Sequence, residues 1–163
     1  GGEDGDVTAW LEDAGRYYNL AVGTERGVSG MALNVADLNG DGTDDLAVTA
    51  DCGTACKAVK VFAYNSAAGW RCILDTENLA QIDIDNNGKA DLITTSLGSL
   101  PPNIWLYRWE GTHFAKADVL GATGHIYATL HTRDGRNYIE AGKENEPHYY
   151  EYSEGVLVEK FFE

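Results

Sequence analysis

Two stretches of the chain gather oxygen-bearing side chains at fixed spacing. The first runs Asp37-Leu-Asn-Gly-Asp-Gly-Thr-Asp-Asp45 and the second Asp83-Ile-Asp-Asn-Asn-Gly-Lys-Ala-Asp91. In each, positions 1, 3 and 5 carry a carboxylate or an amide: Asp37, Asn39 and Asp41, then Asp83, Asp85 and Asn87. Position 6 is glycine, which permits the reversal that lets the other side chains converge. Position 7 (Thr43, Lys89) can offer its carbonyl, and position 9 is again aspartate (Asp45, Asp91). A hard divalent cation that takes about six to eight oxygens suits this set, and calcium is the expected occupant. An EF-hand would need a bidentate glutamate at position 12, where this chain has Val48 and Thr94, so the aspartate at position 9 must replace it. Asp, Asn and Gly also build ordinary solvated turns. Two loops that match at five positions each favour ligation over that plainer reading, and two calcium sites are expected.

The loops sit in a repeat. Gly42, Gly88 and Gly135 recur at spacings of 46 and 47 residues. The third copy has Leu130 at position 1 and Tyr138 at position 9, so it is expected to keep the turn and lack the ion. Alternating aromatic runs follow the same period at Val59–Tyr64, Ile104–Trp109 and His148–Tyr152, each leading to a glycine and a further run. That pattern reads as a β-hairpin. Thr8-Ala-Trp10 with Gly15 and Tyr17 looks like the same hairpin without the half that should precede it. Four short antiparallel strands per unit is the signature of a propeller blade. The expected fold is therefore all-β, a small or partial β-propeller of about four blade-like units. A β-sandwich also spaces its strands evenly, but the shared landmarks favour the repeat. The units are a half-unit at 6–30, repeats at 31–76 and 77–121, and a degenerate repeat at 122–163, forming one domain over 1–163. No helical period is sustained, so very little helix is expected.

The two loops, each followed by Asp-Leu and an apolar strand, resemble the FG-GAP/VCBS repeats of integrin-type β-propellers. The resemblance is strongest over residues 31–118. It implies calcium loops between the first two strands of a blade, with calcium in a mainly structural role and an extracellular or periplasmic setting. Carried over residue by residue, it implies ligands Asp37, Asn39, Asp41, the Thr43 carbonyl and Asp45, then Asp83, Asp85, Asn87, the Lys89 carbonyl and Asp91. Family propellers usually have more blades than this chain offers.

Composition narrows the partners. The 163 residues carry 12 basic and 26 acidic side chains, a net charge of −14, so nucleic acid is not an expected partner. No run approaches the roughly 18 apolar residues of a membrane span. Gly1-Gly-Glu-Asp4 shows no signal peptide, and a removed one is the expectation for an extracytoplasmic chain. Cys52 and Cys56 either close a small disulfide or remain two thiols, and the compartment implied by the resemblance favours the disulfide. Cys72, between Trp70 and Leu74, is expected as a small buried hydrophobe.

Catalytic motifs are missing. There is no G-x-S-x-G elbow, Walker loop or dinucleotide fingerprint, and His113, His125, His131 and His148 are scattered, although His131 and His148 could approach each other. A non-enzymatic protein is expected. Three longer connections, 51–57, 96–103 and 142–148, are the expected binding loops. Within the second, Ser96, Leu97, Ser99, Leu100, Pro101, Pro102 and Asn103 set a leucine beside a stiff Pro-Pro. Size, charge and compartment point to an inhibitor or immunity protein that blocks a cell-wall hydrolase toxin, a basic peptidoglycan hydrolase, by inserting loops into its active site. The alternatives are a calcium-dependent carbohydrate-binding, lectin-like module using Trp105 and Trp109, and a propeller fragment acting as an assembly block.

Overall fold

Alternating side chains make strands throughout this chain, and residues with left-handed backbone stand at most of the turns between them. The computed structural model describes residues 5–96, 98 and 101–162. Among these, four open antiparallel sheets follow one another along the sequence. The first contains only β1 (Val7–Asp13) and β2 (Arg16–Thr24). The second holds β3 (Met31–Ala36), β4 (Asp45–Gly53), β5 (Cys56–Asn65) and β6 (Gly69–Glu77) in that order. The third holds β7 (Leu79–Ile82), β8 (Asp91–Thr95), β9 (Ile104–Trp109) and β10 (Phe114–Asp118). The fourth holds β11 (Tyr127–Arg133), β12 (Arg136–Lys143), β13 (Glu146–Ser153) and β14 (Val156–Lys160). A 3-10 turn at Val28–Gly30 and the short helix α1 (Val119–Thr123) are the helical segments described.

The turns explain the pairing. Ala14-Gly15, Asp134-Gly135 and Glu154-Gly155 each put two successive residues at positive φ, between strands whose closing partners are Asp13↔Arg16, Arg133↔Arg136 and Ser153↔Val156. This is the two-residue hairpin whose twist matches the strands. At Asp134-Gly135 it takes the place of a third acidic loop.

The chain divides into two compact units, 1–78 with 111–114 and 79–110 with 115–163. In the first, Leu20 and Val22 of β2 pack on Leu46, Val48 and Ala50 of β4 and Phe62 of β5. In the second, Ile93, Ile104 and Leu106 meet Ala128, Ile139, Ala141 and Tyr152, with Ile84 and Val119 filling in. Each is a sheet-on-sheet core of aliphatic side chains with one buried aromatic, Phe62 in the first and Tyr152 in the second.

Three expectations change on inspection. Two of the three longer connections are tight hairpins: β4 and β5 are joined through Thr54-Ala55, with Gly53↔Cys56 closing the turn, and β12 and β13 through Glu144-Asn145, closed by Lys143↔Glu146. Cys72 is exposed, its thiol donating to the Leu74 carbonyl at 3.3 Å. The cause is a bulge at Ile73, where Val61 faces Leu74 and Phe62 faces Cys72. The extra residue turns Ile73 and Leu74 both inward and Cys72 outward. Finally, His148 meets His125 rather than His131.

Candidate metal centre

Both acidic loops join the first two strands of a four-stranded sheet, β3 to β4 and β7 to β8. Their backbones follow one plan. Position 4 is left-handed in each, Gly40 at φ 75° and Asn86 at φ 58°, and so is position 6, with Gly42 and Gly88 both at 87°. The aspartate at position 1 collects the amides across the turn. Asp37 accepts from Gly40 at 2.7 Å, Asp41 at 3.1 Å and Gly42 at 2.9 Å. Asp83 accepts from Asn87 and Gly88, both at 2.9 Å. Side chains at positions 3 and 5 repeat this locally: Asn39 accepts from the Asp41 amide and Asp41 from the Thr43 amide, while Asp85 accepts from Asn87 and Asn87 from Lys89.

Position 9 closes each loop from the first residue of the next strand. Asp45 is almost fully buried and accepts from the Leu38 and Asn39 amides through Oδ2, both at 3.1 Å, and from the Asn39 side chain through Oδ1 at 3.3 Å. Asp91 accepts from the Ile84 amide at 3.0 Å. Burial pushes the Asp45 carboxyl above the usual range, the Leu38 and Asn39 amides pull it back, and the charges of Asp41 and Asp37 push it up again. Burial likewise raises Asp91, with Asp85 and Asp83 adding to the rise against the backbone donors. Asp83, Asp85 and Asp91 each bring a ligand oxygen within 4.8 Å of the others. Among the described residues, no comparable trio of carboxylates forms in the first loop.

An all-oxygen donor set with crowded, partly buried carboxylates fits a hard divalent cation and does not fit a soft one. The other grouping, Cys52 and Cys56 with Glu77, is not a thiolate site, because the two cysteines are bonded to each other.

Sequence reasoning missed how the second loop is held. Asn86, at the position glycine occupies in the first loop, donates to the Asn137 carbonyl at 3.0 Å and accepts from the Asn137 amide at 2.7 Å. Asn137 also donates to the Asp83 carbonyl at 2.9 Å. The loop is thereby locked onto β12.

Leu97, Ser99 and Leu100 lie outside the described residues. Pro101 is exposed, and Pro102 accepts from the Ala128 amide through its carbonyl at 2.8 Å. Ser96 and Asn103 tie the loop's base: the Ser96 amide donates to the Asn103 carbonyl at 3.0 Å, and the Asn103 amide donates to Ser96 Oγ at 2.7 Å. Asn103 is itself buried, and its side chain donates to Asp118 at 2.8 Å, the cap of α1. Trp105 carries Lys116 over its ring at 4.9 Å, so that face is covered.

His125 and His148 stack with ring centroids 4.7 Å apart. The register Ala141↔His148 and the Ile126 amide donating to the Gly142 carbonyl bring them together. His125 bonds the Tyr150 hydroxyl at 2.7 Å, and His148 bonds Glu159 at 2.5 Å. Burial lowers the His125 pKa from 6.5, and His148 and Lys143 lower it further against the pull of Glu159. The folded state thus disfavours the proton. Its contribution is fully present above the unfolded value and is lost as pH falls below it. We expect the urea midpoint to drop between about pH 7.5 and 5.5, and His125→Gln to remove part of that drop. An unchanged pH profile in the variant would show that His125 plays no part.

The second sheet carries the strand–acidic loop–strand–hairpin order in full. Residues 29–61 match the FG-GAP repeat family. The FG-GAP segment spans β3, the first acidic loop, β4 and the start of β5, in agreement with the resemblance carried by the motifs. FG-GAP is a β-propeller repeat, and domains built from it mediate protein interactions and are typically extracellular. No curated protein and no solved structure gives a significant match to the chain. Among the described residues, no helix is long and apolar enough to cross a membrane.

Proposed function

We propose that this chain is a non-catalytic, calcium-stabilised protein-binding domain that works in the periplasm or outside the cell. The observation that carries the reading is the shared backbone plan of the two acidic loops, one of which lies inside the FG-GAP match. Asp37, Asn39, Asp41, the Thr43 carbonyl and Asp45 would hold one ion. Asp83, Asp85, Asn87, the Lys89 carbonyl and Asp91 would hold the other. The ion would supply countercharge to crowded carboxylates, and the loop amides already orient those carboxylates. The Cys52–Cys56 bond supports an oxidising compartment. A net charge of −14 supports a basic partner, and a cell-wall hydrolase blocked by this chain is the specific form we propose.

The test is a pull-down from envelope extract with the full chain as bait, in calcium and in chelator. A stoichiometric basic protein whose peptidoglycan-cleaving activity falls on binding is the expected result. Glycans alone, or nothing but self-association, would remove the reading in favour of the lectin or the assembly block.

A further inference from the structure

Three sheets of this protein have four strands, and the first has two. Among the described residues β1 pairs only with β2, so its other edge is open. The closing pair Asp13↔Arg16 flanks a two-residue turn, which assigns the cross-strand hydrogen bonds to Asp13 and Leu11. The N–H and C=O groups of Trp10 and Glu12 therefore point away from β2. Natural edges are blunted by lysine, proline or bulges. β1 (VTAWLED) carries neither lysine nor proline, and its one register shift lies between Thr8 and Trp10, which leaves Trp10–Asp13 in regular register with β2.

An apolar groove of about 360 Å³ runs beside this edge. Ala9, Trp10 and Leu11 of β1 form one wall, and Met31, Ala32 and Leu33 of β3 form the other. Trp10 is 60% exposed, Leu33 68% and Val28 78%. β3 is itself an edge strand of its sheet, and Leu20 of β2, Val28 and Leu46 of β4 complete the lining. No charged side chain lines it. One end is acidic: β1 finishes in Glu12-Asp13, and Asp13 shares an open depression with Gly42, Thr43 and Asp44 of the first loop.

We propose that this groove takes up an extended segment of a partner protein, added antiparallel to β1 as a third strand. The segment carries apolar side chains at alternate positions and basic residues at its N-terminal end. Open ladder groups supply the backbone bonds, and the groove accepts every second side chain. An antiparallel strand brings its N-terminus to Asp13, where the acidic rim requires the basic residues. A second copy of a chain with net charge −14 is a poor occupant for the same rim. The proposal rests on the protein-binding reading above and names the surface that does the binding.

A fluorescent peptide, Lys-Lys followed by alternating Val and Thr, tests it against the full chain by anisotropy, with hydrogen exchange reporting the site. Binding with new protection of the Trp10 and Glu12 amides is the expected result. Affinity should fall by about tenfold or more for a Glu-Glu version of the peptide and for Leu33→Asp, the scale of losing one anchor. Leu33 is exposed, so the thermal midpoint of that variant should match the wild type. No binding, equal binding of the Glu-Glu peptide, or protection elsewhere would overturn the proposal. So would a dimer whose Trp10 and Glu12 amides are protected without peptide. Equal capture of a protein by wild type and Leu33→Asp in the envelope pull-down would overturn the groove and leave the broader reading standing. An empty pull-down would remove that reading, and the peptide would still decide the groove.

Discussion

Replacing Asp45 with alanine lowers the unfolding free energy by about 2–4 kcal/mol, because a buried group that loses its partner costs about 1–3 kcal/mol. Three donors turn to this one carboxylate: the amides of Leu38 and Asn39 and the Asn39 side chain. Alanine leaves all three without an acceptor at a place where Asp45 is 1% exposed and Asn39 7%. Asp45→Asn keeps one oxygen for the two amides and should retain most of that stability while losing the charge. Urea denaturation of the two variants separates the hydrogen-bonding role from the electrostatic one. Coincident midpoints for wild type and Asp45→Ala would mean that the loop closes without this residue.

Calcium should raise the thermal midpoint by roughly 6–12 °C at about ten times the dissociation constant. The figure follows from about 1.4 kcal/mol per site and about 2–4 °C per kcal/mol for a chain of this length. Extracellular modules bind calcium at about 10⁻⁴ to 10⁻³ M, so about 10 mM suffices. Asp41→Asn in the first loop and Asp91→Asn in the second should each remove about half of the shift, and the double variant nearly all of it. The second substitution has a further signature. It relieves one of three crowded carboxylates, so without calcium the variant should be at least as stable as wild type. Identical midpoints in calcium and in chelator would sink both proposed sites at once.

The parts of this molecule legible in the sequence are those encoded locally. Residue type at positions 1, 3, 5, 6 and 9 specifies an acidic turn because the bonds from its side chains to its own amides close within nine residues. Glycine and its neighbour specify the hairpins for the same reason. What escaped the sequence depends on register or on distant partners. Asn86 reads as one more polar turn residue until Asn137, 51 positions away, comes beside it. The bulge at Ile73 interrupts an alternation that looks regular from Trp70 to Leu74, so Cys72 changes sides. His148 finds His125 because β12 and β13 are joined by two residues where a longer loop was expected. The groove beside β1 had a faint trace, the hairpin that lacks its preceding half, but only the sheet order shows that this leaves an edge open.

Among the described residues, every hydrogen-bonded strand pair in the four sheets joins neighbours in the sequence. That has a consequence for how the chain reaches its native state. All-β proteins fold slowly when their strands must find distant partners, since loop closure comes before any contact rewards it. Here no such search is needed within a sheet. Each hairpin can form as soon as its second strand has been delivered, and sheets can assemble one after another from the N-terminus. The acidic turns join consecutive strands, so their amide-lined pockets can form early. An ion captured there would act as a nucleus, drawing two strands together before the cores on which they later pack exist.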